Sequence, residues 1–187
     1  MKYVSIDIET TGLDINDCDI IEFGAVLDDL SNPLPLEDLP TFHTYFHKDK
    51  FVGEPFALSM HKEIFLRISE KREGFTYISP EKFGNKFKNF LAANGYILEK
   101  DRIVINVAGK NFGTFDYQFL KNKTDLFKHV KISSRIMDPA ILYLQPGDER
   151  LPGLETCLSR AGFQKTVSHC ALDDAFDVVR LLRAKFS

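Results

Sequence analysis

The chain has 187 residues, of which 44% are hydrophobic and 27% charged, with a formal net charge of −3. That is enough chain for one domain with a sizeable core and no dependence on disulfides or a structural metal. The slightly acidic balance argues against coating duplex DNA by bulk attraction, and three cysteines (Cys18, Cys157 and Cys170) without CxxC spacing argue for reduced thiols rather than a secreted disulfide framework.

The first third reads as strands. Tyr3 to Glu9 alternates, with Val4, Ile6 and Ile8 on one face and Ser5, Asp7 and Glu9 on the other. Asp7 interrupts the only early apolar run, so no signal peptide is expected there. A turn at Thr10-Thr11-Gly12 leads to a second strand, Ile20 to Leu27, and then to a third, Thr41 to Phe46. The Pro-rich segment Ser31 to Pro40 between them reads as a loop. Helical signals follow: Leu58 to Ile68, then a helix opened by Ser79-Pro80 and carrying the stripe Phe83, Phe87, Phe90 and Leu91. Ile103 to Val107 predicts a strand, Thr114 to Leu120 a short helix, and Val130 to Met137 another strand. Helices over Leu154 to Ala161 and Ala171 to Lys185 close the chain. The order fits an α/β domain, a mixed sheet with helices on its faces. No stretch approaches the roughly 20 apolar residues of a membrane span, so a soluble, cytoplasmic protein is expected.

Asp7 and Glu9 leave the same face of their strand. In a central strand two such acids would repel and lose hydration, and a divalent cation would relieve that cost. Taken alone, the pair fits an edge strand with solvated acids equally well. The last helix adds a second clue. Asp173, Asp177, Arg180 and Arg183 read as its polar sector, whereas Asp174 has Ala171, Val178 and Leu181 for helical neighbours and points inward. His169 precedes this helix, where a histidine is more often a cap or loop residue. Asp116 opens the short helix, where an acid is common for dipole reasons alone. Four acids and one histidine together are what two-metal phosphoryl transfer needs, since hard cations take oxygen ligands and a pair of them clamps an in-line displacement.

Three segments carry a family resemblance. Ile6-Asp7-Ile8-Glu9-Thr10-Thr11-Gly12-Leu13 resembles the first motif of the DEDDh (DnaQ-like) 3′–5′ exonucleases, and Asp19 to Val26 resembles the strand that follows it. Asn111 to Asp116 resembles the second motif, and His169-Cys170-Ala171-Leu172-Asp173-Asp174-Ala175 the third. The motifs stand in family order across positions 7 to 174. The resemblance implies a ribonuclease-H-like fold, a five-stranded mixed β-sheet flanked by α-helices, with residues 1–187 forming a single exonuclease domain. It implies two Mg²⁺ or Mn²⁺ ions held by Asp7, Glu9, Asp116 and Asp174, with His169 as general base. The expected activity is 3′-to-5′ removal of nucleoside 5′-monophosphates from single-stranded DNA or RNA ends. Thr10, Leu13, His61 and Phe115 are placed near the substrate. Departures from the pattern are the long early meander, with its extra segment Lys48 to Glu54, and Lys110 in place of the His usual before Asn111.

A basic run, Lys121, Lys123, Lys128, Lys131 and Arg135, could track a single strand or be a solvated face. Other readings remain open at this level. They are an oligoribonuclease or RNA-trimming enzyme, a proofreading partner of a polymerase or another replication or repair protein, and a catalytically silent nucleic-acid-binding domain. A structural domain with coincidental acids would have to account for three ordered motifs.

Overall fold

The computed structural model describes residues 1–164 and 168–186. Alternating apolar residues form β1 (Lys2–Thr10), which turns into β2 (Ile20–Asp29) and β3 (Thr41–Phe46), an antiparallel meander. Two short helices, α1 (Pro55–Met60) and α2 (Lys62–Glu70), precede β4 (Tyr77–Ile78) and α3 (Pro80–Ala93). Then come β5 (Leu98–Glu99), β6 (Arg102–Ile105), β7 (Val107–Ala108), α4 (Asp116–Lys123), α5 (Leu126–His129), β8 (Val130–Ile132), α6 (Leu154–Arg160) and α7 (Ala171–Phe186). The Pro-rich loop is irregular apart from one 3-10 turn at Leu36–Asp38.

The main sheet has five strands in the order β4-β3-β2-β1-β7, with β7 and β4 parallel to their neighbours. β1 therefore has a partner on each side, which removes the edge-strand reading of Asp7 and Glu9. One face of β1 sends Val4, Ile6 and Ile8 into a core shared with Phe23, Phe83 and Phe87. The Phe23 ring meets Phe83 and Phe87 edge-on at centroid distances of 4.7 and 5.1 Å. Each such ring contributes about 1.5–3 kcal/mol by leaving water. The opposite face packs Tyr3, Val26 and Ala108 against Ala175, Val178 and Leu182 of α7. Helix α3 thus covers one face and α7 the other.

Three expected elements and one residue differ from the sequence expectation, and the short β4, β5 and α5 were not expected. The helix expected over Leu58 to Ile68 is two helices that meet at buried His61. The strand expected over Ile103 to Val107 splits at Asn106, because the chain changes partners there: β6 pairs with β8 in a second, three-stranded sheet, and β7 pairs with β1. The strand from Val130 stops at Ile132, leaving Met137 only an isolated bridge to Ala108. Asp177, expected on the polar sector of α7, is fully buried, and Arg180 reaches it at 2.5 Å. Helix α7 lies against the sheet along more of its circumference than its amphipathic pattern indicates, because α6 and the 139–143 turn wrap it as well.

Candidate active site

The α7-facing side of β1 delivers Asp7 and Glu9 side by side, and register sets Asp7 opposite Gly24 and Glu9 opposite Glu22 of β2. Gly24 is what lets α7 come close: a Cβ there would lie 2.3 Å from the backbone of Ala171 and Leu172. Farther along the helix, the buried Ser5 hydroxyl donates to the Ala175 carbonyl at 2.8 Å. These two contacts bring the first turn of α7 down onto the sheet and carry Asp174 to the acids. The Glu22 carboxylate accepts from the Ala171 amide at 3.3 Å, satisfying one of the orphan donors at the helix start. Just before that turn, His169 takes a left-handed backbone (φ 51°) and is exposed. A ring nitrogen of His169 and carboxylate oxygens of Glu9 and Asp174 all lie within 4.8 Å of one another.

Asp116 arrives from the other direction. Phe112 is buried under the second-motif turn, Asn111 adopts φ 59°, and the Asn111 amide donates to Asp138 at 2.9 Å. That braced turn starts α4 at Asp116, whose carboxylate accepts from the Ile8 amide of β1.

Collecting these acids in a half-dry pocket has an electrostatic cost. Burial, and then the charges of Asp116, Glu9, Asp174 and Glu22, hold the Asp7 carboxyl well above the usual carboxylate range. Burial, and then Glu22, Asp174 and Asp116, push Glu9 up to about 8. Asp116 is pushed up to about 7 by burial, against its backbone hydrogen bonds. Among the described residues, His61 stands beside this charge with its Nε2 3.4 Å from Glu9, and burial lowers its pKa, which favours the neutral ring. A set of carboxylate oxygens that repel one another suits hard divalent cations.

The remaining sequence-singled residues fall around this centre. Thr10 is buried, with its hydroxyl donated to the Gly12 carbonyl at 2.7 Å. Leu13 is 76% exposed at the turn beyond β1, its amide held by Glu54. His61 is buried against Glu9, and Phe115 packs on Phe119 at 5.0 Å where α4 begins. Of the basic run, Lys123 and Lys128 line a groove of about 760 Å³ together with Lys48 and Lys50, whereas Lys121, Lys131 and Arg135 do not. Sequence reasoning gave no role to Glu22, which is 1% exposed and adds to the negative potential on Asp7 and Glu9. Its signal was present: an acid inside the otherwise apolar strand Ile20-Ile21-Glu22-Phe23.

Comparison with protein families matches residues 4–182 to the RNase_T exonuclease model. The chain belongs to this exonuclease family. No curated protein matches it by sequence. Among solved structures, this exonuclease-family chain is similar to E. coli exonuclease I in its zinc-bound complex with single-stranded DNA, with a TM-score of 0.64 and 17% identity over 98% of this chain and 40% of that one. It is also similar to S. pombe Pop2p in its Mg²⁺- and Mn²⁺-bound form, with a TM-score of 0.64 and 15% identity over 97% of this chain and 81% of that one. The chain thus spans only 40% of the exonuclease I chain it matches. At such identities the likeness shows the shared ribonuclease-H-like α/β fold. Among the described residues, no helix is long and apolar enough to cross a membrane.

Proposed function

We propose that this protein is a metal-dependent 3′-to-5′ exonuclease, a single domain that releases nucleoside 5′-monophosphates from the ends of single-stranded nucleic acid. One observation carries the reading: Asp7, Glu9, Asp116 and Asp174 converge next to His169 in a pocket that drives the carboxyls of Asp7, Glu9 and Asp116 toward protonation. Asp7, Glu9, Asp116 and Asp174 would hold two divalent cations, Mg²⁺ or Mn²⁺. Bound there, the cations would supply Lewis acidity and neutralise charge at the scissile phosphate.

The chain's own residues account for the rest. His169, exposed and beside Glu9 and Asp174, accepts at a ring nitrogen the proton of the attacking water. The water oxygen bonds to phosphorus as the bond to the 3′ oxygen of the preceding nucleotide breaks, leaving a 5′-phosphate on the released nucleotide. Buried His61 steadies Glu9 from the side away from solvent. Exposed Leu13 offers an apolar surface for the terminal base, and Thr10 shapes the turn that presents it. The groove beside Lys48, Lys50, Lys123 and Lys128 gives the strand a path with some positive charge. The three free cysteines suit a reducing, cytoplasmic setting.

The test uses 5′-labelled single-stranded DNA and RNA, with Mn²⁺ or Mg²⁺ against chelator, and products resolved by length. A ladder shortening one nucleotide at a time from the 3′ end, absent with chelator and in Asp7→Asn, is expected. Release of the 5′ label as a mononucleotide, or internal cutting first, would overturn the direction. Metal-independent turnover would overturn the site assignment, and persistent binding without cleavage of either strand type would favour a silent binding domain. The same gel separates a DNA enzyme from an RNA-trimming one. A polymerase or other replication or repair protein remains a candidate partner, to be sought by co-purification with the active enzyme.

A further inference from the structure

Next to the acid cluster lies a second group with different chemistry. Glu22, His43 and Cys170 each bring one donor atom (oxygen, nitrogen and sulfur) to positions within 4.8 Å of one another. We propose that these three side chains form a separate site for a borderline-soft divalent cation of the zinc class.

The donor set distinguishes it from the carboxylates. Asp7, Glu9, Asp116 and Asp174 offer only oxygen, the choice of Mg²⁺ and Mn²⁺, whereas imidazole and thiolate beside a carboxylate favour zinc. The geometry is built by the fold. Gly24 pairs with His43 and Glu22 with Tyr45 across β2 and β3, so Glu22 and His43 share one face of adjacent strands. The packing of α7 on Gly24 brings Cys170 to the same place. His43 Nε2 is 2.5 Å from Glu22 Oε1, and Cys170 Sγ is 3.5 Å from that same oxygen. Tetrahedral zinc, with bonds of about 2.0–2.3 Å, sets its ligand atoms roughly 3.2–3.8 Å apart. The sulfur–oxygen spacing already fits, and the nitrogen–oxygen contact has to open by about 1 Å. His43 has room for that, being 23% exposed and packed on one side against Tyr45.

Glu22 is buried beside Glu9, so two like charges adjoin here, and the Arg67 guanidinium lining the same cavity offsets part of them. Glu22 and Cys170, though not His43, line a cavity of about 300 Å³ shared with His61, Arg67 and His169, with room for a water as fourth ligand. Three protein ligands and one open position are a coordination pattern zinc adopts. On binding, the Cys170 Sγ–H bond is broken and its proton passes to solvent, the sulfur pair goes to the cation, and His43 binds through Nε2 with its remaining proton on Nδ1. Nothing is oxidised or reduced. Because His169 adjoins Cys170 in the chain, occupancy of this site is coupled to the segment that carries His169.

The full-length protein, stripped with chelator, is titrated with Co²⁺ as a spectroscopic stand-in for zinc. A near-ultraviolet thiolate-to-cobalt band is expected at one equivalent, displaced by Zn²⁺ and not by Mg²⁺. The band should persist in Asp7→Asn and Cys18→Ser, vanish in Cys170→Ser, and need at least about tenfold more cobalt in His43→Gln. Absence of the band in the folded wild-type protein at excess cobalt would overturn the site, as would a band that survives Cys170→Ser. Neither readout needs nuclease activity, so failure here is separate from failure of the proposed function.

Discussion

Glu9→Gln perturbs the acid cluster with almost no change of shape. In the metal-free fold the Glu9 carboxyl is raised from an ordinary 4.5 to about 8, by burial first and then by Glu22, Asp174 and Asp116. A raised carboxyl stays protonated in the folded state while the unfolded chain ionises, so its stabilising contribution is complete below pH 4.5 and is lost as pH climbs through about 8. At pH 7 that loss amounts to about 3 kcal/mol. Glutamine cannot ionise in either state, and its carbonyl oxygen can still face His61. In chelator at pH 7 the variant should therefore melt roughly 6–12 °C above the wild type. Below pH 4.5 the two should converge. Saturating Mn²⁺ should raise the wild-type melting temperature more than the variant's and narrow or reverse the gap. Thermal melts from pH 4 to 8, with and without Mn²⁺, measure all of this. A variant no more stable than wild type at any pH, and stabilised equally by Mn²⁺, would refute the idea that repulsion among these acids is what a cation relieves.

Other outcomes follow from the same geometry. Asp7→Asn should lower kcat by roughly 10²–10³-fold or more and weaken Mn²⁺ binding seen by calorimetry, without loss of helical circular dichroism. His169→Ala should lower kcat by about 10²–10⁴-fold while Mn²⁺ affinity is retained, and undiminished turnover would remove it as the base. Gly24→Ala forces a methyl to within 2.3 Å of the Ala171 and Leu172 backbone, so stability should fall by about 1–3 kcal/mol and activity with it, as the first turn of α7 lifts from β1. Arg183→Met strips buried Asp28 of the guanidinium that reaches it at 2.5 Å, leaving the Tyr3 hydroxyl and the Asp29 amide as neutral donors to its charge. A loss of about 3–5 kcal/mol is expected in urea melts. In the wild type, burial raises the Asp28 carboxyl, but Arg183 and Tyr3 outweigh it and hold it low. That contribution is present at neutral pH and lost as pH falls through the depressed value, so the variant's deficit should shrink in acid.

The meander, the helix begun at Ser79-Pro80 and the terminal helix were legible in the chain because each rests on local rules. Period-2 alternation specifies β1 to β3, proline at a first helical position starts α3, and an apolar stripe marks α7. The three motifs marked the acids, and the heptad neighbours of Asp174 distinguished it from exposed Asp173. What local rules miss is partner choice. Whether Ile103 to Val107 is one strand or two depends on which neighbours accept its hydrogen bonds, and those lie far along the chain in β8 and β1. The burial of Asp177 likewise comes from tertiary packing around α7 rather than from the helix's own pattern.

By itself, then, the order of residues determined the main element types, the exonuclease-family motifs and the inward direction of Asp174, since each follows from periodicity or spacing within a few turns of chain. Only the tertiary structure decided that β1 is an interior strand, that α7 meets β2 at Gly24, and that Glu22, His43 and Cys170 gather beside the acids. Those outcomes depend on the close approach of segments up to about 150 residues apart, which is set by packing across the sheet and leaves no periodic trace in either segment.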